Sequence, residues 1–344
     1  MRTIRTLFIS TLFATFIYYS AAEAHVGAWH KSMFCLNGLS NDVVEGHRAV
    51  SEPIMDQNFW NFWFRGDCKK FPPAKGDFLE LPVGGTTTLE LAANRAFTDL
   101  SYGGRKSTTW PDGDKHPDYE HLPYVPDKCL GPLHTENRTS AAGTVLGRSL
   151  VSTARLNPLT TLSAIAYKSN IMDVKYEDLV VISVAANTPW HREQQYEVPK
   201  DLPPCNDCIC AWSWIPNSCG LTNFCKVTGA RADAPKLAKA QKPVWCEDNE
   251  GECVKGAKGL TIWLQKEDNT FEFEHKQQKD GKLRSPGYNT KMGFRPGAQT
   301  DIYEDSSSPT LPQMPPTSIP QPSCTAKVDG EGGRWKSRRR MRSA

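Results

Sequence analysis

The segment from Phe78 to Leu91 reads FLELPVGGTTTLEL and resembles two β-strands on either side of Gly84-Gly85. Similar short β-rich runs follow at Leu179 to Val184, Cys208 to Ile215 and Leu260 to Leu264. Pro and Gly punctuate the gaps, and few windows show the 3.6-residue period of an amphipathic helix. The sequence therefore predicts an all-β fold: an immunoglobulin- or fibronectin-like antiparallel β-sandwich with long, disulfide-tied loops.

An aromatic segment from Asn58 to Phe64 allows two interpretations. Five of its seven residues are Phe or Trp. The segment can form helical turns, or its rings can belong to the core of the sandwich.

The first 24 residues have the layout of a secretory signal peptide. Arg2 and Arg5 form a basic region, an apolar run extends from Leu7 to Tyr19, and Ala22-Glu23-Ala24 is a small-residue cleavage motif. Cleavage after Ala24 would make His25 the first residue of a secreted, extracellular chain. No second apolar stretch approaches the ~20 residues that a membrane helix needs, so we expect no membrane association.

The cysteines also indicate an extracellular protein. Ten of the eleven lie between Cys35 and Cys253, and Cys324 stands alone in a Pro-rich tail. In a secreted chain this number argues for disulfides, whose pairing the sequence leaves open. Because the count is odd, Cys324 is the natural candidate for a free thiol or an intermolecular bond.

Composition divides the chain into three parts. Residues 1–24 form the signal peptide, residues 25–305 form the β-sandwich domain, and residues 306–344 form a disordered tail that is first Pro/Ser-rich and then basic. Charge is distributed unevenly along the chain: the net charge is +3, but the tail is basic and the domain is mildly acidic. A mildly acidic domain argues against nucleic-acid binding.

A terminal histidine offers a metal two nitrogen donors, its α-amine and its imidazole. The amine has an ordinary pKa of ~7.7–8.0, so a metal can displace its proton near neutral pH. Three nitrogens in a T-shape suit Cu(II), and imidazole suits copper well. Spacing alone does not choose the further ligand among the other histidines, which are His30, His47, His116, His121, His134, His191 and His275.

Several motifs together carry a resemblance to a known family. The chain resembles the fungal lytic polysaccharide monooxygenases of auxiliary activity family 14, a xylan-active and copper-dependent group. The similarity runs with gaps from His25 to about Glu304. Its motifs are HVGAWHKSMFCLNG (25–38), LHTEN (133–137), NTPWHR (187–192), LPPC (202–205), CICAW (208–212), CKVTG (225–229) and KPVWC (242–246).

The resemblance implies a site with one copper ion per chain. His25 supplies the amine and a ring nitrogen, and His134 supplies the third equatorial nitrogen. His191 is expected beside the oxygen-binding side of the metal, where Gln194, Gln195 or Tyr196 can share the same surroundings, and His191, Gln194 and Tyr196 are the predicted catalytic residues.

The same resemblance implies an oxidative reaction on a polysaccharide. An external electron donor, a small phenol or a redox enzyme, reduces the copper, which then uses O2 or H2O2 to oxidise a carbon at the glycosidic bond. The expected substrate is xylan on cellulose, and we expect a monomer. Trp110, Tyr119 and Tyr124 are candidates for stacking on sugar rings, although buried aromatics that anchor a loop fit them equally well. Asn137-Arg138-Thr139 is an N-glycosylation sequon close to His134.

The chain departs from the family pattern in two places. The family places an axial tyrosine ahead of the Cys-Lys-Val-Thr-Gly strand, whereas here Asn217 to Phe224 is short and has no tyrosine. The stretch from Val145 to Ser163 looks inserted. One hypothesis explains both departures: misplaced splice boundaries in the gene model. If the chain is as written, the axial position is open or filled by Phe224.

Two other functions compete with the monooxygenase. The first is a non-catalytic secreted protein that binds copper or polysaccharide and kept the fold without the axial tyrosine. The second is a hydrolase, which needs two carboxylates at a suitable separation, but no motif singles out such a pair.

Overall fold

The structure is a computed structural model of the chain. It describes residues 26–39, 48–51, 54, 56–117, 162–185, 191–214, 220–271, 279 and 286–304. The chain divides into two compact units, Met1–Ser307 and Ser308–Ala344, and every described residue belongs to the first. The predicted signal peptide and tail lie outside the described residues.

Strands dominate the regular structure of the described part. Two single-turn helices, α1 (Arg48–Ser51) and α2 (Phe59–Phe62), and short 3-10 turns accompany them. No described helix has the length and apolar character to cross a bilayer. The strands are β1 (Gly27–Trp29), β2 (Leu79–Pro82), β3 (Thr86–Ala92), β4 (Leu162–Ala166), β5 (Val180–Val184), β6 (Glu193–Glu197), β7 (Cys205–Ser213), β8 (Gly220–Thr228) and β9 (Gly297–Ala298).

The strands form two sheets, which confirms the predicted all-β sandwich. The smaller sheet has the order β1-β3-β6, and the larger has the order β2-β8-β7-β4-β5-β9. All pairs are antiparallel except β2 with β8, which run parallel. The expectation of a wholly antiparallel sandwich is therefore wrong at this one pair.

The turn at Gly84-Gly85 joins the two sheets. The predicted strands on either side of it exist as β2 and β3, but β2 lies in the larger sheet and β3 in the smaller one. Gly84 has a φ of +70°, a conformation that glycine adopts without the steric penalty of a side chain. Its amide donates to the Val198 carbonyl at 3.1 Å, and the Val83 amide donates to the Thr228 carbonyl at 3.0 Å. The turn is thus tied to both sheets at once.

Two further predicted strands are confirmed as β5 and β7, and one is wrong. The run from Leu260 to Leu264 is buried but forms no strand. Side chains satisfy its amides: the Thr270 hydroxyl accepts from Ile262 at 2.8 Å, and the Tyr288 hydroxyl accepts from Thr261 at 3.2 Å. The run is apolar because it packs against the core, not because it pairs with a strand.

Two apolar clusters lie on the two faces of the larger sheet. The main core fills the space between the sheets and includes Leu89 and Leu91 of β3, Tyr196 of β6 and Trp212 of β7. The outer cluster covers the opposite face of the larger sheet and is rich in aromatic rings. Its large members include Phe62, Trp63, Phe64, Trp263, Tyr288 and Phe294.

The aromatic segment satisfies both of its interpretations. The Asn58 side chain accepts from the Asn61 amide at 3.0 Å and caps α2. Phe62 and Trp63 are buried in the outer cluster, whereas Trp60 is 43% exposed. One short helix therefore turns some of its rings inward and one of them outward.

Four disulfides join the eight described cysteines, which confirms the prediction of a disulfide-linked chain. Cys210–Cys225 ties β7 to β8, and disulfides of this loop length typically contribute about 3 kcal/mol to stability. Cys129, Cys219 and Cys324 lie outside the described residues. The other pairs are Cys35–Cys68, Cys205–Cys208 and Cys246–Cys253.

His30 follows β1 and is held in its neutral form. The Ser32 amide donates to its Nδ1 at 3.2 Å, and the Ser32 hydroxyl lies 2.6 Å from the same atom. Burial lowers the pKa of His30 to about 4; the nearby Lys31 ammonium lowers it further, and Asp77 opposes the shift. The unfolded chain therefore binds a proton between pH 6.5 and 4 that the folded chain does not bind.

We expect this histidine to destabilise the protein in mild acid. In the native chain the free energy of unfolding should fall by about 2 kcal/mol more between pH 6.5 and 4 than in a His30→Asn variant. The full pKa shift would correspond to a larger loss of free energy, but His30 is partly exposed, so solvent screening reduces the effect. Urea denaturation of both chains across this range measures the difference. Parallel pH profiles would contradict the prediction.

Candidate active site

The candidate site lies at one end of the smaller sheet, where β1 and β6 both begin. Along β3, Glu90 pairs with Trp29 of β1 and with Glu193 of β6. Ala92, two residues further along β3, pairs with Gly27. Because both neighbours run antiparallel to β3, the starts of β1 and β6 lie together at the Ala92 end.

Residues 108–117 form a loop attached to this end of the sheet. The Ala93 amide donates to the Pro111 carbonyl at 2.8 Å, and the Arg192 amide donates to the Thr109 carbonyl at 2.9 Å. Within the loop, His116 Nε2 lies 2.7 Å from the Asp112 carboxylate. The described chain stops at residue 117, on the way to His134 in the sequence.

Arg192 holds this end of the sheet together. Its guanidinium pairs with Glu90 of β3, lies 2.7 Å from the Glu193 carboxylate and 3.5 Å from Asp99, and donates to the Thr108 carbonyl at 2.9 Å. The Arg192 and Glu90 side chains are only 13% and 17% exposed. Burial raises the pKa of the Glu90 carboxyl, and the Asp99 amide and Arg192 offset this only in part.

The sequence-predicted residues around β6 have different surroundings. His191 is exposed beside Arg192. Gln194 is half-buried, and its side-chain amide donates to the Gln195 carbonyl at 2.8 Å. Tyr196 is buried in the main core, where its hydroxyl accepts a hydrogen bond from the Trp212 indole at 2.9 Å. The catalytic roles of His191, Gln194 and Tyr196 stay predictions.

The predicted metal ligands His25 and His134 lie outside the described residues. Among the residues described, no group of three His, Cys, Asp or Glu side chains is placed to hold a metal ion. The position of β1 fits a metal bound through His25, since His25 directly precedes Val26 in the sequence and β1 begins at the end of the sheet that carries His191. A terminal amine and two imidazoles are also donors that suit copper.

Phe224, one of the two alternatives for the axial position, packs on the outer face of the larger sheet. Its ring packs against Phe34 at 4.9 Å and Phe78 at 6.4 Å between ring centres, on the outer face of the larger sheet. Its amide donates to the Ser32 carbonyl, past the far end of β1. Both alternatives for the axial position, open or filled by Phe224, stay predictions, since His25 and His134 lie outside the described residues. Residues 215–219 of the shortened segment lie outside the described residues.

The predicted insertion overlaps a strand. Ser163, its last residue, belongs to β4 and pairs with Trp212 of β7, as Leu162 pairs with Ser213. These two residues complete the larger sheet, so they are part of the fold. The remainder, residues 145–161, lies outside the described ranges.

Of the three aromatic residues predicted for sugar stacking, only Trp110 lies within the described residues. Trp110 is buried, with its ring centre 4.7 Å from that of His116, so it anchors its loop as the alternative interpretation proposed. Tyr119 and Tyr124 lie outside the described residues. Tyr102, which the sequence analysis did not single out, is 40% exposed on the segment between Asp99 and Ser107, and the Lys106 ammonium lies 4.0 Å from the centre of its ring. Only its place in a Gly-rich Tyr-Gly-Gly turn hinted at exposure.

These features define a disulfide-linked β-sandwich protein whose candidate site is the open end of a sheet. Comparison with known proteins is more specific. The model of the family "Lytic polysaccharide monooxygenase AA14" matches residues 7–338, beyond both ends of the similarity found from the motifs. The chain belongs to this family of polysaccharide-oxidising enzymes.

Curated relatives agree with the family match. Two proteins named AA14 family lytic polysaccharide monooxygenase B, from Trametes coccinea and Pycnoporus cinnabarinus, are 31% and 30% identical over 331 residues. Each alignment covers 90% of this chain, and 71% and 79% of the respective relative. A protein of the same name from Talaromyces rugulosus is 29% identical over 82% of this chain and 94% of its own length.

Proposed function

We propose that the chain is a secreted, copper-dependent monooxygenase that cleaves xylan or other hemicellulose associated with cellulose. The observation that carries this proposal is the meeting of three features at one end of the smaller sheet: the start of β1, His191 and the loop 108–117. A site at an open sheet end suits a solid polymer, which no closed pocket can enclose.

Copper would be held by His25, through its amine and ring, and by His134, after removal of residues 1–24. Bound there, copper would supply the redox chemistry, with electrons from an external donor and O2 or H2O2 as oxidant. This rests on the donor set and on the family, which is generally copper-dependent.

The chain's own residues would position the substrate and the histidine beside it. Arg192 pairs with Glu90 and bonds to the Thr108 carbonyl, so it fixes the backbone next to His191. His191 would then offer a ring nitrogen at a constant place for a hydrogen bond or a proton. The Tyr102 ring is 40% exposed and has the Lys106 ammonium 4.0 Å from its centre, so a sugar ring that stacks on Tyr102 would use the ring surface that Lys106 leaves open.

A product assay tests the proposed function. The secreted chain with His25 at its terminus is loaded with copper and incubated with xylan-coated cellulose, with and without ascorbate. We expect oxidised oligosaccharides by mass spectrometry only when the reductant is present, and more from coated than from bare cellulose. A His134→Ala variant should give none, whereas His30→Asn, altered at the far end of β1, should keep the native yield.

The other outcomes of this assay are equally informative. Copper binding without any oxidised product would favour the non-catalytic binding protein. Unoxidised oligosaccharides that form without copper and without reductant would contradict a monooxygenase and favour a hydrolase.

A further inference from the structure

A cavity of about 510 Å³ opens on the outer face of the larger sheet. It lies between α2, the 3-10 turns around residues 171–178 and the segments near Lys242, Ile262 and Asp268. Its apolar wall belongs to the outer cluster, so the larger sheet separates it from the smaller sheet and from His191. Its volume lies within the range of small-molecule sites, about 300–1,000 Å³.

The aromatic wall of the cavity is fixed by its own contacts. Phe59 and Trp63 stack with ring centres 5.2 Å apart, and the Trp63 indole donates to the Val174 carbonyl at 2.8 Å. The Lys69 ammonium lies 3.9 Å from the centre of the Trp60 ring and donates to the carbonyls of Trp60 and Trp63 at 2.9 and 2.7 Å. Binding of a ligand here would cost little side-chain entropy, because contacts within the protein already hold these rings in place.

Two neighbouring apolar side chains at this cavity are exposed. Trp60 is 43% exposed and Met172 is 51% exposed, and both line it. The other exposed large apolar side chains of the described residues, Leu39, Tyr102, Tyr167 and Val244, do not line it. Neighbouring exposed apolar groups next to charged groups mark binding surfaces more often than single exposed side chains do.

The polar groups of the cavity carry charges of both signs. Lys175 and Lys242 offer donors, and Glu177 and Asp268 offer acceptors, on the same lining as the indole. A small anion would meet repulsion from Glu177 and Asp268, and a small cation would meet repulsion from Lys69, Lys175 and Lys242. A phenol has one hydroxyl and would leave most of them without a new partner. A sugar ring has an apolar face for the indole and a rim of hydroxyls that both donate and accept.

We propose that this cavity is a second polysaccharide-binding site, which stacks a pyranose ring of the polymer on Trp60 and bonds its hydroxyls through Lys175, Lys242, Glu177 and Asp268. The inference rests on the proposed function for its class of ligand. It gives the protein a second contact with the polymer, on the outer face of the larger sheet.

A binding assay without metal tests this site separately from the reaction. The secreted full chain is stripped of copper with EDTA, and its binding to xylan-coated cellulose is measured for the native protein, Trp60→Ala and Val244→Ala. Val244 is 39% exposed and follows Lys242 closely but does not line the cavity, so it is the matched control. We expect Trp60→Ala to bind about fivefold to tenfold more weakly and Val244→Ala to bind within about twofold of the native chain.

A second measurement locates the contact and remains valid if Trp60→Ala fails to fold. N-bromosuccinimide oxidises exposed indoles, and peptide mass mapping reports the rate at Trp60. A soluble xylo-oligosaccharide should slow this oxidation in the native chain, but not in a Lys175→Glu/Lys242→Glu variant. Unchanged oxidation, native binding by a folded Trp60→Ala variant, or protection by a monomeric phenol alone would overturn the proposal. Because copper is absent from both measurements, their results do not depend on whether the oxidative assay succeeds.

Discussion

A chain that retains one extra residue ahead of His25 is expected to bind copper at least about 100-fold more weakly and to release no oxidised oligosaccharide. The α-amine would become a peptide nitrogen, which is not available as a neutral donor, and the chelate with the His25 ring would be lost. Losses of 10–100-fold in metal affinity already follow removal of groups that only support a ligand. Isothermal titration with Cu(II), followed by the product assay, measures both effects.

The control for this experiment restores the terminus. An extra segment that ends in a protease site can be cut away to expose His25, and the cut chain should regain copper affinity and activity. Thermal denaturation of both forms without metal should coincide. Native copper affinity in the extended chain would contradict the role of the amine.

Replacement of Arg192 by Met is expected to give the second large effect, a loss of about 3 kcal/mol in the free energy of unfolding. Glu90 would keep its largely buried carboxylate without its cation, and breaking a buried pair in this way typically costs about 3–5 kcal/mol. The bond to the Thr108 carbonyl would also be lost, which weakens the attachment of the loop 108–117 beside His191, while the backbone bonds to Thr109 and Pro111 remain. Urea denaturation measures the stability loss, and the product assay should show a reduced yield in the folded variant.

Two further variants test whether the stability loss comes from the unpaired buried charge of Glu90. Arg231, which is 60% exposed and lies 3.6 Å from Asp201, is a matched surface arginine; Arg231→Met should cost less than about 1 kcal/mol. The double variant Glu90→Gln/Arg192→Met should recover part of the stability, because no charge is left buried. Equal losses for Arg192→Met and Arg231→Met would contradict the account of Arg192.

Strand positions could be predicted from the sequence, but sheet membership could not. The runs around Gly84-Gly85 form β2 and β3 as expected, yet they enter different sheets. A local pattern reports that a residue is extended and half-buried, whereas the choice of partner depends on distant strands such as β8 and β6. The strand predicted from Leu260 to Leu264 does not form, because burial against the core gives a segment an apolar pattern even when it pairs with no strand.

The candidate site divides in a similar way. The predicted terminal histidine and the Pro-Trp-His-Arg segment are visible in the sequence, and the structure adds that His191 lies at the sheet end where β1 begins. The pairing of Arg192 with Glu90 joins the residue before β6 to a residue of β3, and no motif encodes the register of these two strands. The cavity beside Trp60 depends on segments more than a hundred residues apart in the chain, so only the folded structure brings them together.

The central claim is that this family member holds one copper ion through its terminal histidine. Electron paramagnetic resonance of the His25-terminated chain, titrated with Cu(II), tests it most directly. We expect one bound ion per chain and a spectrum with hyperfine structure from three nitrogens, two from His25 and one from His134, with the last lost in His134→Ala. A chain that binds no stoichiometric copper, or whose spectrum is the same in His134→Ala, would contradict the account.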